Sequence, residues 1–218
     1  MYILYFKTYN FVIITYSRCW SKTLIKWISK IYNIDIKTHG EFGRNKNICL
    51  NSYPVDEILN ILNSCEIYII IRNPYDRIIN ATISHHTVDN LSFLEFVETQ
   101  KNWNFKYYSP LIELIVKKYN VNILKFENLQ NDLLNLCMKY KIEIPIEGVK
   151  ETKNIGINNF SEPIYEMKLI NFCKGCPHYK YFYNQYIIDK IYSIFKIDFD
   201  LFNIDINIDD LYPKIDIS

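Results

Sequence analysis

The stretch E-I-Y-I-I-I-R-N-P-Y-D-R-I-I-N-A-T-I-S-H, residues Glu66 to His85, decides the fold. Its segment Ile67–Ile71 is continuously apolar, which predicts a strand buried on both faces of a parallel sheet. Asn73 can then accept a hydrogen bond as an N-cap, and Pro74 suits the first helical position because its missing N–H is not needed there. The stretch therefore predicts a buried strand followed directly by a helix, with Arg72 at the junction.

The predicted helix combines an apolar face with a polar stripe. Arg77 and Asn80 would lie one turn apart on the polar side, and Asp76 in the first turn is favoured by the helix dipole. An arginine at the strand end and a polar stripe near a helix N-terminus are typical of half a phosphate-binding site. The residues that would form the opposite face are Ile78, Ile79, Thr82 and Ile83.

A second unit of strand, loop and helix lies nearer the N-terminus. The segment Phe11–Tyr16 predicts another buried strand, and apolar spacing indicates a helix that ends near Tyr32. The loop between them, Ser17 to Lys22, carries hydroxyls and cations, and such a loop can surround an anion with N–H groups and a positive helix end. The alternative interpretation is an ordinary turn with solvated Arg18 and Lys22, and this stretch alone does not separate the two.

Composition limits the possible classes of protein. The 218 residues are 49% hydrophobic and 16% aromatic, enough for the core of one domain. A net charge of +1, from 25 basic and 24 acidic residues, predicts no general affinity for nucleic acid or anionic membranes. No apolar run approaches the roughly 18 to 20 residues of a membrane span, and the N-terminus lacks the pattern of a signal peptide. Six cysteines without framework spacing predict free thiols and a cytoplasmic location.

Arginine is used sparingly, and its placement is informative. The chain has only four arginines, and three of them, Arg18, Arg72 and Arg77, lie in the two stretches described above. This distribution is expected if those positions need a rigid, permanently charged fork for phosphate while lysine suffices elsewhere.

Both stretches resemble motifs of the sulfotransferases that use 3′-phosphoadenosine 5′-phosphosulfate (PAPS), in particular the carbohydrate-type branch. The segment Arg72–Asn80 is similar to the family's 3′-phosphate motif, R-[ND]-P-[YF]-x-R-x-x-S. Val121–Leu134 and Tyr179–Ile204 look like its later strand and its closing segment, so the resemblance covers most of the chain in order. The loop that resembles the family's 5′-phosphosulfate loop, P-K-x-G-x-S-[TS], consists of Ser17, Arg18, Cys19, Trp20, Ser21, Lys22 and Thr23.

Three residues depart from the family pattern. Arg18 stands where the family usually has lysine, and it keeps the charge on a bulkier group. Trp20 replaces a small residue, and Asn80 replaces a serine that touches the 3′-phosphate in the family. The amide of asparagine can still donate a hydrogen bond.

The resemblance implies transfer of a sulfuryl group from PAPS to an acceptor hydroxyl, on a glycan or a small molecule, without a metal. It implies that residues 17–23 hold the 5′-phosphosulfate, that Arg18 also acts in catalysis, and that Arg72, Arg77 and Asn80 hold the 3′-phosphate. The catalytic base of the family follows the first helix, which favours His39 first and Glu41 second.

Two other classes of function stay open at this point. One is a module that binds PAPS or its product without catalysis. The other is a divergent nucleotide kinase, which the absence of G-x-x-x-x-G-K-[ST] disfavours.

The predicted fold is a three-layer α/β domain spanning residues 1–218, with a central parallel sheet and the P-loop-like architecture that the resemblance implies. Its strands are Phe11–Tyr16, Ile67–Ile71 and Val121–Phe126, and ligands are expected at their carboxyl ends. Further helices are predicted at Ser92–Thr99, Pro110–Tyr119, Leu129–Tyr140 and Tyr183–Phe195.

Overall fold

A computed structural model describes residues 2–15, 22–34, 45, 48–84, 91–99, 110–143, 164–172 and 179–204. Within these residues the chain is mixed α/β, with four strands and seven α-helices. The strands are β1 (Tyr2–Phe6), β2 (Phe11–Thr15), β3 (Glu66–Ile71) and β4 (Val121–Lys125). The helices are α1 (Lys22–Tyr32), α2 (Val55–Leu62), α3 (Pro74–Ser84), α4 (Phe93–Thr99), α5 (Pro110–Lys118), α6 (Leu129–Tyr140) and α7 (Gln185–Phe202).

The four strands form one sheet in the order β1-β2-β3-β4. The pairs β2–β3 and β3–β4 are parallel, which confirms the parallel arrangement predicted for these three strands. The sheet is not entirely parallel, however, because the unpredicted strand β1 pairs antiparallel with β2. The turn between them ends at Asn10, whose left-handed backbone (φ 54°) is one that asparagine tolerates. An antiparallel edge strand on an otherwise parallel sheet is a common arrangement.

Most predicted elements are present, with differences at their ends. Phe126 leaves the sheet to begin a short 3-10 turn, so β4 is shorter than predicted. The last helix was expected to end at Phe195, where the backbone does leave helical geometry (φ −107°, ψ 16°), but the chain resumes the helix as far as Phe202. Helix α2 was not predicted.

Aromatic residues form the core on one face of the sheet. Phe6 and Phe11 are paired across β1 and β2, with ring centroids 4.4 Å apart. Trp27 of α1 lies 5.6 Å from Phe6, and Tyr140 of α6 lies 4.5 Å from Phe11. Because paired residues project to the same side of a sheet, α1 and α6 cover the same face.

The chain divides into two compact units. The first comprises Met1–Arg72 and Pro110–Glu151 and contains the whole four-stranded sheet. The second comprises Asn73–Ser109 and Thr152–Ser218, and its buried core is built by α3, α4 and α7. Among the helices of the described ranges, none combines the length and the apolarity that crossing a membrane requires.

Candidate functional site

The carboxyl ends of the parallel strands lie at one edge of the sheet in the first unit. Thr15 is the last residue of β2, Arg72 follows β3, and Phe126 follows β4. Since Ile71 pairs with Lys125, Arg72 and Phe126 lie level with each other one residue beyond that pair. This is the edge at which α/β sheets bind their ligands.

Arg72 is held against this edge by an aromatic ring. Its guanidinium carbon lies 4.3 Å from the centroid of Phe126, and only 5% of the residue is exposed. Stacking engages the face of a guanidinium, whereas its hydrogen bonds are made in the plane. The same side chain can therefore stack on Phe126 and present its plane to an oxyanion.

Thr15 adds a buried polar atom to the same edge. The residue is fully buried, and its hydroxyl has no hydrogen-bond partner within the described residues. A buried hydroxyl without a partner is unfavourable by a few kcal/mol at most, roughly 1–3, and is uncommon in folded proteins. Thr15 lies two residues before Ser17, at which the predicted 5′-phosphosulfate loop begins.

The predicted start of α3 is confirmed in the second unit. Pro74 is the first helical residue, and Asp76 lies in the first turn. The Oδ1 of Asn73 accepts a hydrogen bond from the backbone N–H of Tyr75 at 3.0 Å. Asn73 is therefore the N-cap, and its side chain fixes the direction in which the chain enters the helix.

Arg77 forms a buried ion pair within the second unit. Its Nη2 donates to Oδ2 of Asp198 on α7 at 2.8 Å, and the two side chains are 0% and 1% exposed. The guanidinium also lies 5.0 Å from the ring centroid of Phe195, the residue at which α7 leaves helical geometry. Arg77 is thus held by the charge of Asp198 and by the ring of Phe195.

The burial of Arg77 corrects the expected division of α3 into an apolar and a polar side. The apolar face is present, since Ile78, Ile79 and Thr82 are buried. Arg77 is equally inaccessible because α7 supplies a carboxylate from another part of the chain. The helix is therefore buried on both sides at this level.

Several predicted site residues lie outside the described residues: Ser17, Arg18, Cys19, Trp20, Ser21, His39 and Glu41. Lys22, which was expected to end the loop, and Thr23 are the first two residues of α1. Asn80 lies on α3, three residues after Arg77. The proposed roles of all these residues in binding or catalysis stay predictions.

The three thiols of the first unit that lie within the described residues are free, as predicted for them. Cys49 and Cys137 are buried and Cys65 is half-buried, and none is in a disulfide. Burial raises the pKa of Cys65 to about 11 and also raises the pKa of the other two thiols. They stay protonated near neutral pH and are poor nucleophiles.

Across the described ranges, no group of three or more His, Cys, Asp or Glu residues could hold a metal ion.

A polar cluster lies at the amino end of β3, the opposite end from Arg72. Lys139 donates to Glu66 and, at 3.0 Å, to the hydroxyl of Tyr68. The Tyr68 hydroxyl also donates to Glu66 at 2.8 Å and lies 3.1 Å from that of Tyr140. The hydrogen bond from Lys139 is the main cause that lowers the pKa of Glu66, whereas burial raises the pKa of Tyr68 to about 12. This cluster joins α6 to the sheet and is separate from the candidate site.

Sequence analysis missed three residues of these sites: Thr15, Phe126 and Asp198. Thr15 and Phe126 were assigned only to strands, although a polar or aromatic residue at the carboxyl end of a parallel strand is itself a signal. Asp198 is an acidic residue that lies between two apolar neighbours, Ile197 and Phe199. A carboxylate in such surroundings indicates a buried charge with a partner, but the sequence does not identify the partner.

The chain was compared with protein families, curated proteins and solved structures. No family model, curated protein or solved structure matches it.

Proposed function

We propose that the chain is a PAPS-dependent sulfotransferase that modifies an acceptor hydroxyl, with a carbohydrate as the favoured acceptor class. The observation that carries the proposal is the junction at the end of β3. There a buried strand leads into Arg72, the capping residue Asn73 and a helix that begins at Pro74. This local structure suits the R-N-P-Y motif, because Asn73 caps the helix, Pro74 occupies its first position, and the positive end of the helix dipole favours an anion.

The stacking of Arg72 on Phe126 supports the same proposal. A phosphate-binding arginine is most effective when its fork is oriented before the ligand arrives, because less conformational entropy is then lost. Phe126 supplies that orientation from the end of the neighbouring strand. In the proposed enzyme, Arg72, Arg77 and Asn80 contribute to the 3′-phosphate site, and residues 17–23 contribute to the 5′-phosphosulfate site.

The proposed reaction is an in-line sulfuryl transfer. The acceptor oxygen forms a bond to sulfur while the bond between sulfur and the bridging oxygen of the 5′-phosphate breaks. The proton of the acceptor passes to His39, or to Glu41 as second choice, and 3′-phosphoadenosine 5′-phosphate (PAP) leaves. Arg18 and Lys22 stabilise the charge that develops on the leaving phosphate.

The fold proposed for this enzyme is the three-layer, single-domain arrangement of residues 1–218, located in the cytoplasm. The parallel strands β2, β3 and β4 are consistent with it.

Transfer assays with labelled PAPS over panels of glycans, lipids and peptides test the activity. Arg18→Ala is expected to lower transfer by at least about a hundredfold, the usual effect of removing a group that stabilises transition-state charge. His39→Ala is expected to lower it by roughly a hundredfold or more. Lys30→Ala, which removes an exposed cation from α1, is the matched control and should have little effect. Full activity of Arg18→Ala would contradict the site, and binding of PAP without transfer to any acceptor would favour the non-catalytic module.

A further inference from the structure

We propose that Asp198 is a positioning residue for the 3′-phosphate motif and that it acts through Arg77 on the first turn of α3. The inference rests on the proposed function and adds to it a residue outside both phosphate motifs. It also gives Arg77 a more specific role, in which this arginine orients the motif from within the protein.

The burial of the ion pair is the first line of support. Arg77 and Asp198 are 0% and 1% exposed, and their side chains meet at 2.8 Å. A phosphate could reach this guanidinium only if the side chains that bury it moved apart, and opening the ion pair would leave a carboxylate buried without its partner, which is strongly unfavourable. The pair therefore belongs to the interior of the second unit, and its effect on a ligand passes through the backbone of α3.

Neighbouring contacts fix the same turn of α3. The ring of Tyr75 lies 5.3 Å from that of Phe199, which follows Asp198 on α7. The hydroxyl of Tyr183 donates to the backbone carbonyl of Tyr75 at 2.8 Å. Tyr75 and Arg77 are thus anchored to Phe199 and Asp198, which are consecutive residues of α7. The hydrogen bond from Tyr183 also holds the backbone of this turn.

This anchoring matters because the first turn of α3 lies between Arg72 and Asn80, two side chains proposed to bind the 3′-phosphate. The N-cap Asn73 is bonded to Tyr75, so the orientation of the cap depends on the position of Tyr75. Pro74 has no N–H, and those of Tyr75 and Arg77 are bonded to Asn73, so the turn acts on a ligand through the side chains that it orients and through the positive end of the helix dipole. Rotation or displacement of the turn would therefore weaken binding of the 3′-phosphate without removing any residue that touches it.

The energetics of buried ion pairs agree with a positioning role. Replacing such a pair by apolar side chains of similar volume is often neutral or stabilising, so stability alone is a weak reason to keep one. An ion pair with a planar guanidinium does, however, fix direction as well as distance. The inference is that the Arg77–Asp198 pair sets the geometry of α3 more than it adds to stability.

The test compares the affinity for PAP with that for adenosine 5′-phosphate (AMP), which lacks the 3′-phosphate. Isothermal titration calorimetry of the full chain gives both dissociation constants. Asp198→Asn is expected to weaken binding of PAP by roughly tenfold to a hundredfold, the range seen when an orienting partner is lost. Binding of AMP should change little, so the ratio of the two affinities falls. A purely structural role would lower thermal stability but leave this ratio unchanged in the folded protein.

Two further variants keep the test decisive. Asp200→Asn removes an exposed carboxylate that pairs with Lys196 on the same helix, and it should preserve the wild-type ratio. Arg77→Met combined with Asp198→Leu replaces the pair by apolar side chains and is used if Asp198→Asn does not fold. Loss of the preference for PAP in the folded variants supports the inference, and its retention overturns the inference alone. If the wild-type chain shows no preference for PAP over AMP, the proposed function and the inference both fail.

Discussion

The guanidinium carbon of Arg72 lies 4.3 Å from the centre of the Phe126 ring, and this contact joins the ends of two neighbouring parallel strands. It brings together a residue from the proposed 3′-phosphate motif and one that lies about fifty positions later in the chain. The contact packs the arginine against an aromatic ring at the carboxyl ends of the parallel strands, where α/β sheets commonly bind ligands.

Arg72→Lys should therefore weaken binding of PAP even though the charge is kept. An ammonium group cannot stack in the same way or form a bidentate contact, so the affinity should fall by about tenfold to a hundredfold, as expected for loss of one charged hydrogen bond. Phe126→Leu keeps the charge and the fork but removes the stack, and it should have a smaller effect in the same direction. Calorimetric titration with PAP measures the affinity of both variants. An unchanged affinity of Arg72→Lys would contradict a bidentate contact between Arg72 and the ligand.

Removing one partner of the buried ion pair should destabilise the protein strongly. Asp198→Ala leaves Arg77 buried without its carboxylate, so the free energy of unfolding should fall by about 3–5 kcal/mol. The apolar double variant, Arg77→Met with Asp198→Leu, should recover most of that loss. Urea unfolding followed by circular dichroism gives both values. If the single variant loses no more than the exposed-site control Asp200→Asn, the burial of Arg77 does not depend on Asp198.

The difference between what the sequence predicted and what it missed follows from the range of the interactions involved. Local signals sufficed for the start of α3, because the cap of Asn73 and the position of Pro74 depend on adjacent residues. The partner of Arg77 lies 121 positions away on α7, and no local pattern identifies it. Periodicity therefore assigned Arg77 to a polar stripe, whereas tertiary packing buried it.

The hydroxyl of Tyr75 should be dispensable for stability. The residue is fully buried, burial raises the pKa of its hydroxyl, and this hydroxyl has no hydrogen-bond partner in the part of the chain that the structure describes. Tyr75→Phe should leave the free energy of unfolding unchanged or raise it by up to about 1 kcal/mol. Thermal or urea unfolding measures the change.

Tyr183→Phe provides the matched comparison. It removes the same atom from a hydroxyl that donates to the carbonyl of Tyr75, so it should lower the free energy of unfolding by about 1 kcal/mol. Equal effects of the two variants would contradict the hydrogen bonding described for this pair.

The ion pair between Glu66 and Lys139 should make a small contribution that depends on pH. The hydrogen bond between them is the main cause that lowers the pKa of Glu66 and raises that of Lys139. The contribution of Glu66 to the free energy of unfolding is fully present above the pKa of about 4.3 that the carboxyl has in the unfolded chain. It is lost as the pH falls through the lowered pKa of the folded state. The contribution of Lys139 to the free energy of unfolding is fully present below the unfolded lysine pKa of about 10.4. It is lost as the pH rises through the raised pKa of the folded state.

Glu66→Gln tests this dependence. Both side chains are about half exposed, so the wild-type chain should exceed the variant by less than about 1 kcal/mol at neutral pH. The difference in the free energy of unfolding should shrink toward both ends of the pH range. A difference that stays constant from acidic to alkaline pH would argue against an electrostatic origin.

The strand order of the sheet shows a similar limit on what a sequence can predict. The apolar runs identified β2 and β3, because strands buried on both faces have few alternatives. The same runs gave no indication that β1 would pair antiparallel at the edge, since pairing partners and direction depend on the turn at Asn10 and on the neighbouring strands. The contact between Arg72 and Phe126 depends on the register of β3 and β4, which is likewise a property of the folded sheet.

Calorimetric titration of the wild-type chain with PAP, AMP and ATP tests the central claim most directly. PAP carries both phosphates that the two motifs are proposed to bind, so it should bind at least about tenfold more tightly than AMP, since a charged hydrogen bond contributes roughly 1.5–3 kcal/mol. ATP should bind more weakly than PAP because it has no 3′-phosphate. Failure to bind PAP, or binding of ATP as tightly as PAP, would contradict the proposal that this chain catalyses PAPS-dependent sulfuryl transfer.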